Sequence, residues 1–184
     1  MSKLVILASG AGSNALNIIN HFKNTDVKVC LIATNKKTAG VLNIAEQNNI
    51  PQFIITKDNF EAEFLINLEI INPDLIILAG FLWKIPETIT KMYKIVNIHP
   101  ALLPKFGGAG MWGHHVHEAV FNSKEKESGI TIHWVNENYD QGEIIEQFVV
   151  SIDPQDTPKD IESKVRKLEA QYFPPTIQKI LKNK

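Results

Sequence analysis

Short apolar runs alternate with amphipathic stretches along most of this chain. Residues 3–8 are apolar after Lys3 and read as a first strand. The turn Ser9-Gly10-Ala11-Gly12-Ser13-Asn14-Ala15 follows, and then Leu16, Ile19 and Phe22 at helical spacing, with Ser13 as a natural N-cap. A second strand over 27–33 holds Cys30 as a small core residue, and a helix is expected over 41–47. Residues 51–55 suit a short strand and 59–71 a helix whose stripe is Phe60, Phe64, Leu65 and Leu68. The nearly all-apolar run 75–80 is what a parallel strand covered on both faces needs. A helix near 86–92 then leads into the central strand, 95–99.

The second half continues the pattern with more polar interruptions. Residues 106–113 form a glycine-rich loop, and 129–135 a strand with Ile130, Ile132 and Trp134 on one face and Thr131, His133 and Val135 on the other. A polar turn over 136–142 joins it to a strand over 144–150. Thr157-Pro158-Lys159-Asp160 is a helix start, with a capping threonine, proline at the first helical position and an acid in the first turn. Ile161, Val165, Leu168 and Tyr172 are the buried stripe of that helix, and Pro174-Pro175 should break or kink it. Strands alternating with helices predict one α/β domain, a mostly parallel twisted sheet with helices on both faces.

Candidate chemistry gathers at the ends of these strands. Asn97 and His99 are two apart on a strand that Pro100 must terminate, so both side chains leave one face at its carboxyl edge. An amide donor beside an imidazole suits a carbonyl oxygen that becomes negative during reaction; a turn with both residues bound to backbone is the alternative. Asp140, in the polar turn, could orient the imidazole and carry protons, or serve only as a turn aspartate. Strand, glycine turn and helix start form an anion cradle of free N–H groups and helix dipole.

The letters Gly10-x-Gly12-x-x-Ala15 also satisfy a dinucleotide fingerprint, but Thr34-Asn35-Lys36-Lys37 stand where it expects an acid. A single phosphate fits better than NAD, with an NADP site on Lys36 or Lys37 as an alternative. His114, His115 and His117 invite a metal reading. His114 and His117 would share a helix face, yet no cysteine or well-spaced acid completes a tetrahedral set, so no metal is expected.

Bulk properties narrow the classes. With 184 residues one domain is expected. A net charge of −1 offers no general attraction to nucleic acid or anionic membrane. One cysteine excludes an internal disulfide, and no segment reaches the roughly 18 apolar residues of a membrane helix. A cytoplasmic location is expected.

The residues on which a resemblance rests are Ser9 to Asn14, Leu78-Ala79-Gly80-Phe81, the string Asn97-Ile98-His99-Pro100-Ala101-Leu102-Leu103-Pro104-Lys105, and His133 through Asp140 to Gly142. On these the chain resembles the phosphoribosylglycinamide formyltransferases, over nearly its whole length. The resemblance implies a Rossmann-like formyltransferase fold over 1–184, its first half binding ribonucleotide phosphate and its second contributing the folate site. It implies formyl transfer from 10-formyltetrahydrofolate, a co-substrate, to the amine of glycinamide ribonucleotide. Asn97 and His99 would stabilise the oxyanion, with His99 passing a proton to the departing folate nitrogen and Asp140 helping to deprotonate the amine. Gly12, Ser13 and Asn14 would hold the phosphate, Arg166 would lie near it, and Glu169 would take the ribose hydroxyls. Leu82, Trp83, Lys84 and Ile85 on one side and Val135, Asn136 and Tyr139 on the other would hold the folate.

The loop 106–113 looks longer and richer in glycine than is common in the family, and Ala170 stands where histidine is frequent. Small-molecule substrates are the expected partners of a monomer or homodimer. Methionyl-tRNA formyltransferases and formyltetrahydrofolate hydrolases carry an additional domain for which 184 residues leave no room. A hydrolase, another formyltransferase and an NADP-binding protein are the alternatives.

Overall fold

The computed structural model describes residues 1–183. Seven strands make one sheet: β1 (Ser2–Leu7), β2 (Val27–Thr34), β3 (Gln52–Ile54), β4 (Leu75–Leu78), β5 (Ile95–His99), β6 (Glu127–Trp134) and β7 (Ile144–Ser151). Six helices accompany them: α1 (Ser13–Phe22), α2 (Val41–Gln47), α3 (Glu63–Ile71), α4 (Glu87–Met92), α5 (His114–Asn122) and α6 (Pro158–Lys182). The strand order is β3-β2-β1-β4-β5-β6-β7. The β1–β5 pairings are parallel, and β6 runs antiparallel to both β5 and β7. The expected mostly parallel α/β architecture is therefore present.

Alternation along β1 divides the core. Leu4, Ile6 and Ala8 face a cluster that holds Ile18 of α1, Val41 of α2, Val120 of α5 and Ile161 and Phe173 of α6. Val5 and Leu7 face the other cluster, with Phe64 and Leu68 of α3 and Ile89 of α4. Both faces of β1 and β4 are thereby covered, which is why their sequences show no polar alternation. The chain runs outward from β1 to β2 and β3 on one side, then crosses back to place β4 and β5 on the other. This reversal of strand order opens a crevice above their carboxyl ends.

Several local expectations change. Gly12, with φ of 85°, is the cap position of α1, and Ser13 is its first helical residue. The stripe that helix buries is Ala15, Ile18 and Phe22, while Leu16 is exposed: the helix lies rotated from the largest side chains toward the closest-packing ones. Cys30 is only half-buried, because β3 pairs with β2 no further back than Ile32 and leaves the earlier part of β2 at the sheet edge. α6 runs through Pro174 and Pro175. Phe173, Pro174, Thr176 and Ile177 are buried there, and this packing holds the helix together despite two lost N–H donors. The Thr157–Asp160 capping box forms as expected.

Residues 101–104 leave β5 over a buried polar anchor. The Thr131 hydroxyl donates to the Ala101 carbonyl at 2.7 Å and accepts from the Leu103 N–H at 3.0 Å and from Gln147 Nε2 at 2.8 Å. On the far side of β6, the turn to β7 folds tightly back on the strand. A Cβ added to Gly142 would lie 1.7 Å from the Trp134 carbonyl oxygen. Gly142→Ala is expected to cost about 1–3 kcal/mol, the range for forced overpacking, read as a lower urea midpoint at unchanged m-value. A wild-type midpoint would contradict this turn geometry.

Candidate active site

A cleft of about 520 Å³ opens above the carboxyl ends of β1, β4 and β5, a size suited to small-molecule ligands. Buried Ser9 ties its rim together: its hydroxyl donates to Asn35 Oδ1 at 2.6 Å and accepts from the Leu82 N–H at 2.9 Å, while its N–H donates to the Gly80 carbonyl at 3.0 Å. Three strand-end loops are thus held by one side chain and its own backbone.

One end of the cleft is an anion cradle. Gly12 sits in the left-handed region, and a Cβ there would come within 2.8 Å of Val41 and Ile44 in α2, so glycine is required twice over. No side chain caps α1, which leaves its first N–H groups directed outward. Asn14 Nδ2 donates to Glu169 Oε2 at 3.0 Å, bringing α6 against this turn. Burial pushes the Glu169 carboxyl up, against the opposing pull of Asn14 and Arg166. The Arg166 guanidinium lies 2.6 Å from Glu162, one turn earlier on α6.

The other end gathers four side chains. The antiparallel register sets Asn97 opposite His133, and Asn97 Nδ2 lies 3.1 Å from His133 Nε2 and 3.4 Å from Asp140 Oδ1. His133 Nδ1 is 2.8 Å from the Trp134 carbonyl, which can only accept, so Nδ1 donates there and Nε2 is left facing the Asn97 amide. By the same reasoning His99 Nε2, 2.8 Å from the Phe106 carbonyl, is protonated. Its Nδ1 faces Asp140 Oδ2 at 3.5 Å. That carboxylate also accepts from the Gly108 N–H at 2.9 Å. Asp140 has φ of 52°, uncommon for a residue other than glycine, and the surrounding contacts hold it there.

The electrostatics of this group balance opposing effects. Burial lowers the His99 pKa from its ordinary 6.5, while the Asp140 charge and the Phe106 carbonyl favour the imidazolium. Burial pushes the Asp140 carboxyl up, but His133, His99 and the Gly108 N–H outweigh it and hold the pKa below the ordinary 3.8. At neutral pH this leaves an ionised carboxylate beside a neutral imidazole that gains a charge partner on protonation. That is the arrangement of a proton carrier.

Every residue expected from the sequence lines this one cleft: Gly12, Ser13, Asn14, Arg166 and Glu169 at the cradle, Asn97, His99 and Asp140 at the polar cluster, and Leu82, Trp83, Lys84, Ile85, Val135, Asn136 and Tyr139 on the walls between. Sequence reading gave no role to His133, Phe106, Gly108 or Glu162, and weighed His117 only within the histidine trio. His133 was visible as an alternating strand residue and as the start of a family motif; its partner Asn97 lies 36 positions away and is set by strand register. His117 also lines the cleft, where its ring is buried and its Nδ1 has no hydrogen-bond partner. Burial lowers its pKa as well.

Both lowered histidines link stability to pH in the same direction. A folded-state pKa below the unfolded value means that the unfolded chain binds the extra proton first. The stabilising contribution is then full above 6.5 and is lost as pH falls through the folded value. Asp140 adds a similar loss at lower pH, below 3.8. Stability should therefore fall as pH drops below 6.5, and His99→Gln should flatten that slope. Urea unfolding across the range measures it, and an unchanged slope would contradict the burial of a neutral His99.

Residues 2–177 match the family model described as formyl transferase. The phosphoribosylglycinamide formyltransferase of Bacillus subtilis is 37% identical over 98% of this chain and 95% of its own length. The chloroplastic phosphoribosylglycinamide formyltransferase of Arabidopsis thaliana is 39% identical over 89% of this chain, which spans 60% of that longer protein. Among solved structures, the phosphoribosylglycinamide formyltransferase of Bacillus halodurans superposes with a TM-score of 0.89 at 33% identity, covering 98% of this chain and 95% of that one. The chain belongs to the formyl transferase family, among the phosphoribosylglycinamide formyltransferases.

Proposed function

We propose that this protein transfers the formyl group of 10-formyltetrahydrofolate to the amine of glycinamide ribonucleotide, giving formylglycinamide ribonucleotide and tetrahydrofolate. The observation that carries this reading is a single cleft with an uncapped helix N-terminus at one end and the Asn97–His99–Asp140 cluster at the other. A phosphorylated substrate anchored at the first would present its far end at the second.

The ribonucleotide phosphate binds the N–H groups of Gly12, Ser13 and Asn14, with Arg166 supplying positive charge and Glu169 accepting from the ribose hydroxyls. The folate lies between residues 82–85 and 135–139. Its formyl carbon is attacked by the substrate amine, and the carbonyl oxygen becomes an oxyanion. Asn97 Nδ2 and His99 are the donors for that oxygen, and the long contacts at 3.4 and 3.5 Å to Asp140 are the ones that yield to it. Asp140, acting through water, removes the proton from the attacking nitrogen and passes it to His99 Nδ1, which it faces at 3.5 Å and which then presents an N–H to the reacting centre. Collapse of the oxyanion breaks the bond from carbon to the folate nitrogen, which takes a proton from His99. His133 is a positioning residue: its Nε2, 3.1 Å from Asn97 Nδ2, fixes the orientation of the Asn97 amide at the reacting centre.

Purified protein mixed with a 10-formyl folate should show ribonucleotide-dependent deformylation by absorbance. Deformylation without ribonucleotide would favour a hydrolase, and silence in both runs would contradict the proposal. His99→Ala and Asp140→Asn should each lower kcat by about 10²- to 10⁴-fold without unfolding the chain; near-normal turnover in either would break the assigned roles. Replacing Ser13 and Asn14 together should raise the KM for the ribonucleotide, and a change confined to the folate KM would refute the phosphate assignment.

A further inference from the structure

Three side chains at the start of α5 lie outside the chemistry of the cleft and share one patch of surface. His114 and His115 open the helix, their ring centroids 3.9 Å apart and tilted by 40°. One turn later the Glu118 carboxylate comes to 3.9 Å from His115 Nδ1, too far for a hydrogen bond. One donor atom from each of the three lies within 4.8 Å of the others, and all three residues are exposed. Trp112 stands edge-on to both rings, its ring centroid 6.5 Å from that of His114 and 5.1 Å from that of His115.

Helical spacing in the sequence pairs His114 with His117, but His117 is buried, and the acid that joins the exposed pair is Glu118. Two imidazoles and a carboxylate, open to water on the remaining side, are the donors of a borderline transition metal. Calcium and magnesium would demand oxygen ligands throughout. A tetrahedral ion with bonds of about 2.0–2.1 Å needs donors about 3.3 Å apart, and exposed side chains reach that spacing by rotation alone. The helix N-terminus opposes a cation here, and the negative charge of Glu118 offsets it.

We propose that His114, His115 and Glu118 bind a divalent transition metal ion of the zinc class where the glycine-rich loop joins α5. Trp112 and Gly113 belong both to that loop and to the cleft wall. The bound ion therefore pins the carboxyl end of the loop at the mouth of the cleft.

The test is calorimetric titration of the full chain with Zn²⁺ in a non-chelating buffer, paired with tryptophan fluorescence during titration with Cu²⁺ and Ni²⁺. One Zn²⁺ should bind per chain, and His115→Ala and Glu118→Gln should each weaken it by about tenfold or more. Cu²⁺ should bind more tightly than Ni²⁺ and quench fluorescence that Trp112→Phe removes. His21→Ala, which alters an exposed imidazole on α1, should leave the affinity unchanged. Absence of Zn²⁺ binding, equal affinity in the α5 variants, or an equal loss on changing His21 would each overturn the assignment.

Discussion

The carboxylate of Asp140 is the interaction on which the polar end of the cleft depends. Its side chain is only 11% exposed, a position where an isolated charge would neutralise itself. The Gly108 N–H, the Asn97 amide and two imidazoles surround it and keep it ionised. In return the carboxylate brings together residues from β5, β6, the glycine-rich loop and the β6–β7 turn. Two glycines permit this approach. Gly107 would bring a Cβ to 3.3 Å from that of Asp140 and 2.5 Å from Leu103, and Gly142 lets the turn fold against Trp134.

The sheet explains why that carboxylate can reach β5 at all. The first five strands are parallel, so their carboxyl ends share one rim with the uncapped start of α1 and Gly80. A parallel β6 would also have ended at that rim, and its onward chain would have needed a long crossover to return. Antiparallel β6 instead ends beside the start of β5, where Val135 donates to the Ile95 carbonyl, and sets His133 level with Asn97. The short turn that follows then folds Asp140 over the pair. The two antiparallel strands are what bring His133 and Asp140 to the end of β5, beside Asn97 and His99.

Much of this was legible in the residues because it is local. Period-two spacing placed Asn97 and His99 on one face, and Pro100 marked the strand end. The glycine turn announced the cradle, and the capping box announced α6. Asp140 was visible as a turn acid that could orient the imidazole, and the family resemblance chose that role over a plain turn aspartate. The part that stayed hidden is set by tertiary register and packing. His133 acquires a role only through its cross-strand partner, and the Phe106 carbonyl only through the course of the loop. The continuity of α6 through Pro174 and Pro175 stayed hidden because local helix rules omit the burial of Phe173 and Ile177 that holds it together. Leu16 was misread because apolar size does not determine which face of a helix packs.

The central claim is that Asp140 and His99 act as one unit, and a double-mutant cycle on kcat for ribonucleotide-dependent deformylation tests it most directly. If the carboxylate works through the imidazole it faces, Asp140→Asn combined with His99→Ala should lose little more than the more damaging single change. Losses that multiply would show two independent contributions and contradict the account.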